Sequence, residues 1–145
     1  MKKTLKKLLS LSLAVILAFG LIACSSDVVK DDVVTNDPDL ERIVAEEGQA
    51  YEEAFENSFS QSSGLTCECK FYAKGTSLIT DCIINGVDDV PEDVKAQMQE
   101  TYDNSKASLK ASFDPIKDEA PNLTNAIINV CEEDGDIIAS VDIAF

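Results

Sequence analysis

Five cysteines are the soft nucleophiles and metal ligands of this chain, and no histidine is present to assist them. Ser-His-Asp and Cys-His arrangements are therefore absent, as are His-ligated metal sites, and no side chain has an ordinary pKa near neutrality. Cys67, Cys69 and Cys82 invite a three-thiolate reading. The C-x-C spacing in place of C-x2-C, with no fourth ligand nearby in sequence, argues against a closed zinc site. Acidic clusters at Asp88-Asp89, Glu92-Asp93 and Glu132-Glu133-Asp134-Gly135-Asp136 lack the spaced calcium loop with its distal glutamate. They fall where turns and helix N-termini favour acids in any case. No carboxylate pair stands out from 27 acids as an acid and base couple. We assign no catalytic, cofactor-binding or metal residue from sequence, and a non-enzymatic protein is expected.

With 145 residues, one domain is the ceiling. Twelve Lys and Arg against 27 Asp and Glu give a net charge of −15, which disfavours nucleic acid, whose binding rests on basic side chains neutralising phosphates. The N-terminus departs from this acidic balance. Lys2, Lys3, Lys6 and Lys7 precede an uncharged apolar run over residues 8–23, the layout of a secretory signal peptide. That run falls short of the roughly 20 apolar residues of a spanning helix. The expected division is a signal segment over 1–23, Cys24 with an acidic tether over 24–37, and one domain over 38–145. Removal of 1–23 takes four Lys and no acid, leaving 8 basic against 27 acidic side chains, a net −19. Such a domain is repelled by anionic lipid surfaces.

Within 38–145, Asp37-Pro38 reads as an N-cap followed by proline at the first helical position. Leu40, Ile43, Val44, Tyr51, Ala54, Phe55 and Phe59 then recur at helical spacing, and Gln61-Ser62-Ser63-Gly64 ends the run. Residues 65–71 and 77–85 read as a hairpin turning at Lys74-Gly75. The pattern repeats with a helix carrying Val94, Met98, Tyr102, Leu109 and Phe113, then a second hairpin over 123–131 and 137–145 turning at Asp134-Gly135. A shift of 54 residues places Leu40 on Val94 and Phe59 on Phe113. The expected fold is α+β: tandem α-β-β units forming a four-stranded antiparallel sheet with both helices packed on one face.

A two-residue turn at Lys74-Gly75 pairs Leu65 with Ile84, Cys67 with Cys82, Cys69 with Thr80 and Phe71 with Leu78. The same rule at Asp134-Gly135 pairs Val130 with Ala139, Ile128 with Val141 and Ala126 with Ile143. Both registers put apolar residues on a single face. Cys67 and Cys82 become a candidate cross-strand disulfide, whose loop closure is worth roughly 3 kcal/mol in the chain-entropy model. Cys131 falls on the opposite face. There Tyr72, Ile79, Ile83, Ile127 and Ile138 stand among polar neighbours, a candidate partner surface for a protein or a second copy of the chain.

The segment Leu21-Ile22-Ala23-Cys24 resembles the lipobox of bacterial lipoproteins. The resemblance implies that Cys24 is acylated and becomes the first mature residue, and that the protein is held by lipid on the extracytoplasmic face of the cell membrane. The whole layout resembles small Gram-positive lipoproteins carrying a domain of unknown function, which implies location and fold without activity. A weaker fold-level similarity is to the tandem helix-and-hairpin units of secreted enzyme inhibitors. The expected function is a membrane-anchored protein-binding or envelope-interaction domain, with a small-ligand or metal-binding lipoprotein as the alternative.

Overall fold

The computed structural model describes residues 35–145; the signal segment, Cys24 and nearly all of the tether lie outside the described residues. The elements follow the chain as α1 (Pro38–Ser63), β1 (Cys67–Lys74), β2 (Ser77–Ile84), α2 (Glu92–Glu119), β3 (Asn125–Cys131) and β4 (Ile137–Ala144). Asp37 caps α1 by accepting from the amides of Asp39 and Leu40, and Gly64 ends it in the left-handed region at φ 67°. α2 runs through Pro115 and buries Ile116 one turn beyond the apolar stripe read from sequence. No helix among the described residues is long and apolar enough to cross a membrane.

The four strands lie in the order β1-β2-β3-β4. Among the described residues, two α-helices and one four-stranded sheet make an α+β fold, but the sheet is mixed and not wholly antiparallel. β1 and β2 are antiparallel, as are β3 and β4, whereas β2 and β3 are parallel, Ser77 opposite Asn125 and Ile83 opposite Cys131. The connection explains it. α2 has 28 residues and returns the chain to the end of the sheet where β2 began, so β3 starts beside Ser77 and runs the same way. The strand directions also mean that, with their first strands aligned, the two hairpins place their second strands on opposite sides. The 54-residue shift therefore aligns two helices without aligning two superposable units.

The second hairpin pairs as expected, Val130 with Ala139, Ile128 with Val141 and Ala126 with Ile143, with a bulge at Val130/Cys131. The first does not. Its turn is Gly75-Thr76, Gly75 taking φ 60°, and the register moves by two residues: Cys67 faces Ile84, Cys69 faces Cys82, Phe71 faces Thr80 and Ala73 faces Leu78. A two-residue slip leaves every side chain on its own face, so alternation in sequence could not reveal it. Both helix stripes and the inward strand residues merge in one core cluster around Phe59, Tyr102, Phe113, Leu78, Ile84 and Ile128.

α1 packs along β1 and α2 along β4, so each helix lies over an edge strand. Side chains from these helices also reach edge backbone. Glu52 Oε1 accepts from the Phe71 amide and Glu56 Oε1 from the Cys69 amide, both at 2.8 Å. On the other edge, Gln99 Nε2 donates to the Ser140 carbonyl at 2.7 Å while Gln99 Oε1 accepts from the Ser140 amide at 3.0 Å. These bonds satisfy strand edges that would otherwise offer pairing sites to another chain. Replacing Glu52 with alanine strands a buried amide and is expected to cost about 1–3 kcal/mol in urea denaturation, whereas Glu52→Gln, which keeps an acceptor, should lose much less. Equal losses in the two variants would contradict this role.

Candidate functional site

Alternation along β1 and β2 turns Cys67, Cys69 and Cys82 inward, and the observed register brings them together. Because the Cys69 amide is bonded to Glu56 of α1, Cys69 and Cys82 form a non-hydrogen-bonded pair, the closer of the two antiparallel spacings. Cys67 lies one pair further along, on the diagonal. The sulfurs of all three lie within 4.8 Å of one another, and Cys67 Sγ and Cys69 Sγ are 3.9 Å apart. All three are buried, Cys82 completely. No two are bonded: Cys67, Cys69, Cys82 and Cys131 are free thiols.

The thiols titrate as a set. Hydrogen bonds from Cys69 and Cys82 favour ionisation of Cys67 and hold its pKa below the usual thiol range. The hydrogen bond each shares with Cys67 raises Cys69 and Cys82 in turn, with burial and then the charge on Cys67 adding to the rise. Across the core, α2 places Tyr102 near them. Its hydroxyl is buried without a hydrogen-bond partner among the described residues. Burial raises the Tyr102 phenol most, and the charges acting on it come from Cys82, Cys67 and Cys69. Sequence reading places Tyr102 correctly in the α2 stripe, but nothing in helical spacing shows which polar atom the core leaves unpartnered.

The opposite face of the sheet is built differently. A hydrogen-bonded chain crosses all four strands: Tyr72 Oη donates to Asp81 Oδ2 at 2.8 Å, Asn129 Nδ2 to Asp81 Oδ1 at 2.8 Å, and Ser140 Oγ to Asn129 Oδ1 at 2.7 Å. Burial and the Asp81 carboxylate push the Tyr72 phenol up to about 12. Ile79 and Ile127 are paired neighbours beside this chain, with Ile83 on its other side, and all three are half-buried. Ile138 differs from expectation. It is 3 % exposed and belongs to the core cluster, at the end of β4 where the bulge shifts the pairing. The exposed large apolar side chain there is its neighbour Ile137, at 55 %. Cys131 is buried on the outer side, paired with Ile83 on β2.

The acidic cluster after β3 has structural duties. Glu132 is 3 % exposed and accepts from Lys95 Nζ at 2.8 Å and from the Val90 amide at 3.3 Å. Glu133 accepts from the Gly86 amide. These bonds tie the β3–β4 loop to the segment entering α2.

No protein-family model matches the chain, nor does any curated protein or solved structure.

Two outcomes follow from this geometry. A mild two-electron oxidant such as oxidised glutathione should join Cys69 to Cys82, because a directly opposed pair meets the disulfide Cα separation that a diagonal pair exceeds. Peptide mapping that found Cys67 joined to Cys82 instead would contradict the register. The Glu132 hydrogen bond raises the Lys95 pKa above its ordinary 10.5. The stabilisation is therefore complete below that value and lost as pH rises through the raised one. Thermal melts should show an alkaline loss in the wild type that is smaller in Lys95→Met.

Proposed function

We propose that this chain is a lipid-anchored extracytoplasmic protein that presents the uncovered face of its sheet to a basic protein partner. The observation that supports it best is the order of that face. The Tyr72, Asp81, Asn129 and Ser140 chain fixes polar side chains across four strands, and Ile79, Ile83 and Ile127 flank it as half-buried apolar neighbours. A surface whose rotamers are already held loses less entropy on binding than a loose one. The helices cover the other face, and their Glu52, Glu56 and Gln99 side chains occupy backbone groups of the edge strands, which favours this side for recognition.

Charge supports the choice of partner. At a net −19 for residues 24–145, the domain repels nucleic acid, anionic lipid and, at long range, its own copies. The same field steers a basic protein toward it and makes association fall with salt. The resemblance of Leu21-Ile22-Ala23-Cys24 to a lipobox supports anchorage through acyl chains on Cys24, where two or three chains hold a protein that one would not. The likeness in layout to small Gram-positive lipoproteins agrees with this reading.

Two measurements test it. Metabolic labelling with a fatty-acid analogue should mark the wild-type protein and not Cys24→Ala, which should leave the membrane fraction. A photocrosslinking residue at Ile79 or Ile127, introduced in intact cells, should give a discrete adduct with a basic protein that weakens as salt rises. The same probe at Asp118, on the helix side, should give none. Equal adducts from both sides, an adduct only with a second copy, or none from the sheet would overturn the partner reading.

A further inference from the structure

Apart from the sheet face, the core holds a feature that neither packing nor the proposed partner surface uses. Three thiols converge in an interior built mainly of aliphatic and aromatic side chains, and near them lies a tyrosine hydroxyl with no hydrogen-bond partner among the described residues. A leucine or valine in place of each thiol and a phenylalanine in place of Tyr102 would serve packing alone. We propose that Cys67, Cys69 and Cys82 bind a thiophilic divalent cation of the zinc type, with the Tyr102 hydroxyl donating a hydrogen bond to the thiolates.

The geometry supports this assignment. Thiolates at about 2.3 Å from one ion stand roughly 4 Å apart. The Cys67 and Cys69 sulfurs are already 3.9 Å apart, and all three lie within 4.8 Å, so closure needs side-chain movements of less than about 1 Å. The donors are soft, which excludes calcium and magnesium and favours ions that prefer sulfur. Proton balance is simple: the divalent ion replaces three thiol protons, which leave to solvent, and the bound cluster carries one negative charge. A monovalent ion with three thiolates would leave two, a heavier load for a buried site. The ionisable group of α1 that acts on them is Glu56, through Cys69 and itself acidic, and no Lys or Arg acts on these thiols. The ion therefore supplies the positive charge the surroundings lack, and the Tyr102 hydroxyl offsets the residual negative charge as outer hydrogen bonds to metal ligands do.

With three protein ligands the site is of the open type and not the closed four-ligand type that holds a fold together. The core is complete without the ion, so the protein should fold metal-free and bind reversibly. Affinity should fall as pH falls, since each thiol must lose its proton.

The test uses the full chain, purified in detergent under reducing conditions and stripped with a chelator. Cadmium, as a probe, should produce a thiolate-to-metal charge-transfer band that saturates at one ion per chain. Zinc should displace it, and native mass spectrometry should show one ion bound. Cys131→Ser should bind as the wild type does. Cys67→Ala and Cys69→Ala should each lose the band while keeping the wild-type circular dichroism. Tyr102→Phe, which retains the ring, should weaken binding about 10- to 100-fold. Absence of a band at stoichiometric cadmium, a band retained in Cys67→Ala or Cys69→Ala, or loss in Cys131→Ser would overturn the proposal. So would protein taken from its native envelope with Cys69 and Cys82 already bonded, which leaves one inward thiol.

Discussion

Residues 77–83 of β2 pair in parallel with 125–131 of β3, and along this seam two hairpins become one sheet. Neither hairpin alone would be more than marginally stable in water. Joined, they offer a four-strand apolar face broad enough for both helices to bury their stripes against it in a single cluster. Parallel pairing requires a long crossover, and α2 with its flanking loops is that crossover. The helix is thus both the connection that permits the seam and half of the layer that covers it. Damage to α2 packing should be felt first at β3 and β4, which cannot reach β2 by any other route.

The seam places β1 and β4 at the margins, and the protein closes both with long polar side chains. Glu52, Glu56 and Gln99 sit on the sheetward sides of their helices, where apolar residues usually pack. Burying the Glu52 carboxylate carries a desolvation cost, offset by a charge-assisted bond to an amide that would otherwise be orphaned. For a chain this acidic the solution fits its composition. Carboxylates accept from edge amides, whereas lysines could not, and an amide filled in this way no longer offers a pairing site to another strand.

Much of this was legible in the sequence because burial follows period. The apolar stripes of α1 and α2 and the inward face of each strand came from spacing, and the second hairpin's register came from its turn residues Asp134-Gly135. The first hairpin's turn did not, because Lys74-Gly75 and Gly75-Thr76 are both acceptable turn pairs and the slip between them preserves each face. The parallel seam escaped for a related reason: alternation within a strand carries no information about its neighbour's direction. Ile138 was misplaced by a bulge, which breaks alternation where it occurs. Glu132 counted as one more acid in an acidic loop until Lys95 and the Val90 amide were found against it.

The two-residue shift matters beyond bookkeeping of pairs. Under the register expected from sequence, Cys67 and Cys82 form an opposed couple with Cys69 facing Thr80, a geometry that reads as one structural disulfide and a spare thiol. Under the observed one, Cys69 and Cys82 are opposed and Cys67 sits on their diagonal, so that no pairing uses all three sulfurs but a single central ion does. The turn at Gly75 decides between them: its positive φ sets the loop, the loop sets the register, and the register turns a pair into a triangle. The Cys69 amide, turned away from β2, is held by Glu56 of α1, so the contact that seals the sheet edge also fixes the strand position of one sulfur of the cluster. Thiol geometry therefore rests on the glycine and edge protection on α1: a change that moved the turn by one residue would set Cys69 opposite Thr80 and leave the Glu56 bond in place.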